Sequence, residues 1–310
     1  MFEPAYMQAL KDGSLQTKVQ TARNLLSDCG VCPRDCHVNR LEGELGFCGI
    51  GETAVVSSAN LHFGEESPLV GSGGSGTIFF TSCNLKCVFC QNYEISHLME
   101  GRETDSSELA RLMLELQGKG SHNINFVTPS HVVPQILDAV KEAAEEGLNL
   151  PLVYNTGGYD SVETLKLLDG VIDIYMPDLK FMDSGPSDLL MKAPDYPEVA
   201  KVAIKEMYRQ VGDLEMDEHG VATRGLLIRH LVMPSDLANT RQAMRFLAQE
   251  ISTNTYVNVM SQYRPCGRAM EFEEINRALT RQEYEEAIKT AEEEGITRLD
   301  KRVSLGMRLL

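Results

Sequence analysis

An α/β fold with a parallel sheet of six strands, entered through a small cysteine-rich extension, is the architecture this sequence predicts. Two observations carry it. From residue 77 onward short apolar runs alternate with amphipathic segments; the runs are Ile78–Thr81, Ile124–Thr128, Leu152–Asn155, Ile172–Met176, Leu226–Val232 and Tyr256–Met260. Strands that recur with helices between them pair in parallel, and a parallel sheet must be covered by those helices. The second observation is the cysteine distribution. Cys29, Cys32, Cys36 and Cys48 form one tight group, Cys83, Cys87 and Cys90 a second, and Cys266 stands alone.

At 310 residues the chain is long enough for one large core with appendages. The predicted division is an N-terminal helix and knuckle over 1–65, a barrel over 66–270 and a helical extension over 271–310. A net charge of −16 without a basic cluster argues against a nucleic-acid or anionic-membrane partner. No run of about 18 apolar residues exists, and the first residues lack the layout of a signal peptide. The expectation is therefore a cytoplasmic protein, whose grouped cysteines are metal ligands rather than disulfides.

Taken in order, residues 1–28 read as helix, with Leu15, Val19, Ala22 and Leu26 at helical spacing. The first cysteine group follows as C-x2-C-x3-C-x11-C, among Gly43, Gly46 and Gly49. Four such ligands are enough to fold a knuckle around one metal centre. Tetrahedral zinc and an auxiliary 4Fe–4S cluster both fit the spacing, and His37 could replace a thiolate. Val55–Leu61 reads as a strand, and the Gly/Ser run 71–76 as a loop feeding the next one.

The stretch Thr77–Asn92, TIFFTSCNLKCVFCQN, then places Cys83, Cys87 and Cys90 as C-x3-C-x2-C directly after a strand. Three thiolates on one loop can hold three irons of a 4Fe–4S cluster and leave the fourth iron open. An open coordination position is where chemistry happens. A zinc site borrowing a distant ligand such as His97 is disfavoured, because zinc motifs pair cysteines as C-x2-C twice.

Downstream, Asp105 with Glu108 marks a helix start, and further helices follow Ser130 and Ser161 and cover 199–210 and 240–251. Leu214–Arg224 reads as a hairpin, and Thr280 with Glu283 as a capping box. In parallel folds the chemistry gathers at the C-terminal strand ends. A charged Arg229 within the apolar run LLIRHLVMP is costly unless paired. His230, on the opposite face, reads as a packed histidine.

The triplet, with Phe89 before its last cysteine, resembles the radical S-adenosylmethionine (SAM) superfamily. That resemblance implies a partial (β/α)6 barrel, with a 4Fe–4S cluster on Cys83, Cys87 and Cys90 and SAM on its open iron. One-electron reduction then yields a 5′-deoxyadenosyl radical that abstracts hydrogen. A low-potential electron donor such as flavodoxin or ferredoxin is implied as a partner. Asn155–Thr156–Gly157 and Met176–Pro177–Asp178–Leu179–Lys180 resemble the strand ends of the pyruvate formate-lyase activating enzyme family. There the matching Asn155, Thr156, Met176 carbonyl and Asp178 surround a monovalent cation beside SAM, with Lys180 and Arg229 near its carboxylate. Tyr263 matches the adenine-contacting region. Thr128–Pro129–Ser130 departs from the family's Gly-rich acidic motif, so backbone carbonyls or the Thr128 or Ser130 hydroxyl would meet the SAM amino group. The implied activity is activase-like, on a glycyl radical enzyme. The alternative is a radical SAM enzyme acting on a small molecule or modifying a peptide.

Overall fold

The computed structural model describes residues 2–300; Met1 and residues 301–310 of the predicted C-terminal extension lie outside the described residues. Nine strands form its sheet. They are β1 (Ala54–His62), β2 (Ser75–Phe80), β3 (Arg102–Thr104), β4 (Ile124–Val127), β5 (Leu152–Thr156), β6 (Ile174–Pro177), β7 (Glu215–Met216), β8 (Ala222–Leu231) and β9 (Tyr256–Met260). The pairs β2–β4, β4–β5, β5–β6, β6–β8 and β8–β9 are all parallel. These are the six predicted strands in chain order, and β9 does not pair back onto β2. The barrel is therefore partial and open.

Period-two burial explains why these runs are strands. Ile78, Ile124, Phe126, Tyr154, Tyr175, Leu226 and Ile228 belong to the core between the sheet and its helices. Their neighbours Val153, Ile174, Met176, Leu227 and Tyr256 form a second core with Leu69. A sheet buried on both faces needs apolar residues at nearly every position, which is why the runs read as continuous rather than alternating.

The structure adds what the apolar runs did not show. β1 pairs antiparallel with β2, and β3 with β1, so the sheet extends upstream of residue 66. The N-terminal helix is two helices, Ala5–Lys11 and Ser14–Asn24. Gly13 stands between them at φ 78°, a left-handed turn that lets the second helix start afresh. The second packs against the helix Val133–Glu145. That helix begins after Val132, not at Ser130, with Pro134 in its first turn. The helix from Thr240 ends in a π-turn over Leu247–Ile251. β7 and β8 form the expected hairpin. Thr280 and Glu283 make the expected capping box on the helix Arg281–Glu293. Among the described residues no helix is long and apolar enough to cross a membrane.

Candidate active site

The C-terminal ends of the parallel strands converge on one cavity of about 230 Å³. β2 delivers the cysteine loop. Ser82 and Lys86 take positive φ, 70° and 48°, which turns the chain sharply on either side of Cys83. Cys83, Cys87 and Cys90 all line the cavity. Leu85 N–H donates to Cys83 Sγ at 3.3 Å and Ser96 Oγ–H to Cys90 Sγ at 3.2 Å. Burial pushes the Cys87 and Cys83 thiols up, while the Lys180 charge pulls both down. The donor set is thus three sulfurs on one loop with hydrogen-bond donors and a cation at hand, which fits an anionic iron–sulfur cluster.

Opposite the thiols lies a charge network. Arg229 Nε donates to Asp178 Oδ1 at 2.7 Å, and its Nη2 to Asn155 Oδ1 at 2.6 Å. Lys180 Nζ donates to Asp178 Oδ2. Burial alone would raise the Asp178 carboxyl, but Arg229 and Lys180 together hold it below its ordinary value. Burial likewise works against the Lys180 ammonium, and the Asp178 charge outweighs it and raises its pKa. All four side chains line the cavity, with Thr156, Gly157 and Thr128 beside them. Thr128 sits at φ 62°, a conformation costly for a β-branched residue, and its N–H donates to Asn155 O at 2.9 Å.

Three predicted residues sit behind the cavity wall rather than on it. Ser130 Oγ is hydrogen-bonded to Thr156 Oγ1 at 2.9 Å. The Met176 side chain is buried in the barrel interior. Tyr263 donates its hydroxyl to Ile275 O at 2.6 Å and meets Phe89 edge-on at 6.2 Å; Phe89 itself reaches the cavity. His230 is buried, bonded to Leu179 O and Thr240 Oγ1, as a packed histidine should be.

Two sets of side chains that support the cavity residues had no motif to reveal them. Asp160 accepts from Thr156 Oγ1 at 2.6 Å and Tyr154 Oη at 2.9 Å, and so fixes Thr156 from below. Glu65 and Glu66 approach Arg229 at 4.0 and 3.9 Å, and Glu66 accepts from Asn258 Nδ2 at 3.0 Å. Their only sequence signal is an acidic pair in a loop, and the residues they serve lie far along the chain.

The second cysteine group also comes together in the fold. Cys29, Cys32, Cys36 and Cys48 line a small space together with Arg40 and His131. His37 is exposed at φ 53° and pairs with Asp28 and Asp35, so it does not join them.

An open parallel barrel with a cysteine triplet on the loop after its first parallel strand is the build of an α/β fold whose strand ends could hold an iron–sulfur cluster. Residues 77–207 match the family model described as the radical SAM superfamily. That segment of the chain is thus a radical SAM superfamily domain. It is 36% identical over 294 residues to an uncharacterised protein of Methanocaldococcus jannaschii, covering 92% of this chain and 80% of that one. A solved structure of a radical SAM methyltransferase from Sphaerobacter thermophilus shares the fold. Its TM-score is 0.51 at 14% identity, with 75% of this chain and 68% of that chain covered.

Proposed function

We propose that this radical SAM enzyme abstracts hydrogen in the manner of a glycyl radical enzyme activase. Cys83, Cys87 and Cys90 would hold the 4Fe–4S cluster, and Lys180, Asn155 and Thr156 would orient SAM at the cavity wall. When bound, cluster and SAM together supply a 5′-deoxyadenosyl radical. The chain's own part is to orient the ligand and to exclude water. Lys180 presents a buried ammonium to an anionic group, Asp178 and Arg229 hold that lysine in place, and Phe89 with Leu85 keeps the cavity floor apolar. The carrying observation is that Asn155–Thr156–Gly157 and Asp178–Leu179–Lys180, the two activase-like strand ends, face one cavity together with the triplet.

One feature favours a second reading, a radical SAM enzyme acting on a small molecule or a peptide. The extra cysteines precede the triplet, whereas many activases carry theirs after it.

The test uses anaerobically reconstituted protein with SAM and a one-electron reductant. 5′-Deoxyadenosine should form, and changing any one triplet cysteine to Ala should abolish it. Added glycyl radical enzyme carrying deuterated glycine should then acquire a paramagnetic glycyl signal and pass deuterium into 5′-deoxyadenosine. Formation of 5′-deoxyadenosine with neither transfer nor signal would reject the activase reading in favour of the second.

A further inference from the structure

We infer that the Arg229 guanidinium stands where the activase resemblance implies a monovalent cation, so that the strand-end site binds SAM without one. The resemblance gives that cation four holders, the side chains of Asn155, Thr156 and Asp178 and the carbonyl of Met176. An ion of this kind is held by oxygens whose lone pairs face it. The side chains present do not fit it, because their oxygens are already engaged. Asp178 Oδ1 accepts from Arg229 Nε at 2.7 Å, and Asp178 Oδ2 accepts from Lys180 Nζ. Asn155 Oδ1 accepts from Arg229 Nη2 at 2.6 Å. Thr156 Oγ1 donates to Asp160 Oδ2 at 2.6 Å and accepts from Gly158 N–H at 3.2 Å, with Ser130 Oγ at 2.9 Å.

Backbone pairing puts the guanidinium there. Asp178 and Arg229 form a parallel bridge just past the end of β6, and Leu179 N–H donates to Arg229 O at 2.8 Å. Residues paired directly across a sheet point to one face, and so do residues two apart on one strand. Asn155 is paired with Met176, two residues before Asp178, so Asn155, Asp178 and Arg229 share that face. On its other side Arg229 is paired with Asn258 of β9. The contact of Arg229 with Asp178 and Asn155 therefore follows from strand register.

Charge runs the same way. Arg229 and Lys180 set two fixed positive charges beside Asp178, and the amide of Asn155 brings no negative charge. A further cation among them would be repelled by both. Glu65 and Glu66 lie 4.0 and 3.9 Å from the guanidinium, and Glu66 accepts from Asn258 Nδ2 at 3.0 Å, so the acidic pair faces Arg229 as well. A guanidinium stays charged at any working pH and offers its donors in one fixed plane. Unlike a bound ion it cannot wash out, so the chain carries its own positive charge to this end of the cavity.

The inference rests on the SAM reading of the cavity, and its experiment keeps the two apart. Anaerobically reconstituted protein is titrated with SAM in potassium, sodium and tetramethylammonium chloride at one ionic strength, the last cation being too large for such a site. The three affinities should agree within about twofold. Equilibrium dialysis with radioactive rubidium, with and without SAM, should find no site that Asp178→Asn removes. SAM binding at least about tenfold weaker in tetramethylammonium, or a saturable rubidium site lost in Asp178→Asn, overturns the inference. SAM that binds in no salt rejects the SAM reading instead, and the rubidium measurement then decides the inference by itself. Arg229→Ala frees Asp178 Oδ1 and Asn155 Oδ1 and should create the missing dependence. SAM should then bind about tenfold tighter in potassium or sodium than in tetramethylammonium, and rubidium should bind. A folded Arg229→Ala that stays indifferent to the cation removes Arg229 as its replacement. If Arg229→Ala does not fold, the wild-type measurements decide.

Discussion

Asp178 is the hub of the strand-end network, and its two cations do different work. Arg229 is engaged on both sides, by Asp178 and by Asn155, with Glu65 and Glu66 behind it. Removing it takes away the guanidinium that Asp178, Glu65 and Glu66 share in a buried site, so Arg229→Met should cost the fold about 3–5 kcal/mol besides any loss in binding. Lys180 has Asp178 as its ion-pair partner and lines the cavity. Lys180→Met leaves Asp178 paired with Arg229, so the protein should fold. Losing a charge-assisted contact costs about 1.5–3 kcal/mol, a tenfold to hundredfold weaker affinity. Titration calorimetry of SAM against reconstituted wild type and Lys180→Met measures it, and equal affinities would make Lys180 a purely structural partner of Asp178. The members of this network that end strands were legible, because parallel topology fixes where strand ends meet. Asp160 and the Glu65–Glu66 pair were not, since nothing local marks their partners.

At the scale of elements, the site depends on how tightly β5 and β6 close. The turn after β5 runs against the turn after β6, and Tyr196 Oη bridges Gly157 O, Asp178 O and Lys180 N. Gly158 takes φ 81° there, and a Cβ would lie 2.3 Å from Asp178 O. Gly158→Ala therefore carries both a left-handed backbone and a clash with main chain, at least about 1–3 kcal/mol. A fall in thermal midpoint together with weaker SAM binding is the expected result, and an unchanged melt would show that the turn can open freely. Sequence periodicity located these strands because each buries both faces. It missed the independent starts of the N-terminal helices, since Leu15, Val19, Ala22 and Leu26 keep their spacing downstream of Gly13. It found β1 as a strand over Val55–Leu61, which the structure bears out, but not its antiparallel place beside β2, and it missed the three-residue edge strand β3, too short to show a period.

For the whole molecule, the sheet stays open, with β1 on the outer edge of β2 and β9 paired to β8 alone, and the short helix Ser67–Val70 plugs the interior near β9. Leu69 enters the interior core beside Val153, Ile174 and Leu227, Ser67 bonds Asp300, and Glu66 bonds Asn258 on β9. This plug carries Glu65 into the barrel, where burial, and then the neighbouring Glu66 charge, pushes its carboxyl up to about 8. The folded chain thus keeps a proton that the unfolded chain releases above the ordinary glutamate value of 4.5. Between those values the unfolded state binds fewer protons, so this group makes stability fall as pH rises, by about 1.4 kcal/mol per pH unit at most. Asp178 acts oppositely: its lowered pKa supports the fold above its ordinary 3.8 and is lost only on further acidification, outside that window. Glu65→Gln cannot ionise and should lose less stability than wild type between about pH 5 and about pH 8. Denaturant unfolding of both proteins, reconstituted identically, across that range gives the two slopes. Parallel slopes would mean that Glu65 is ionised in the folded barrel, with Arg229 rather than a proton balancing it.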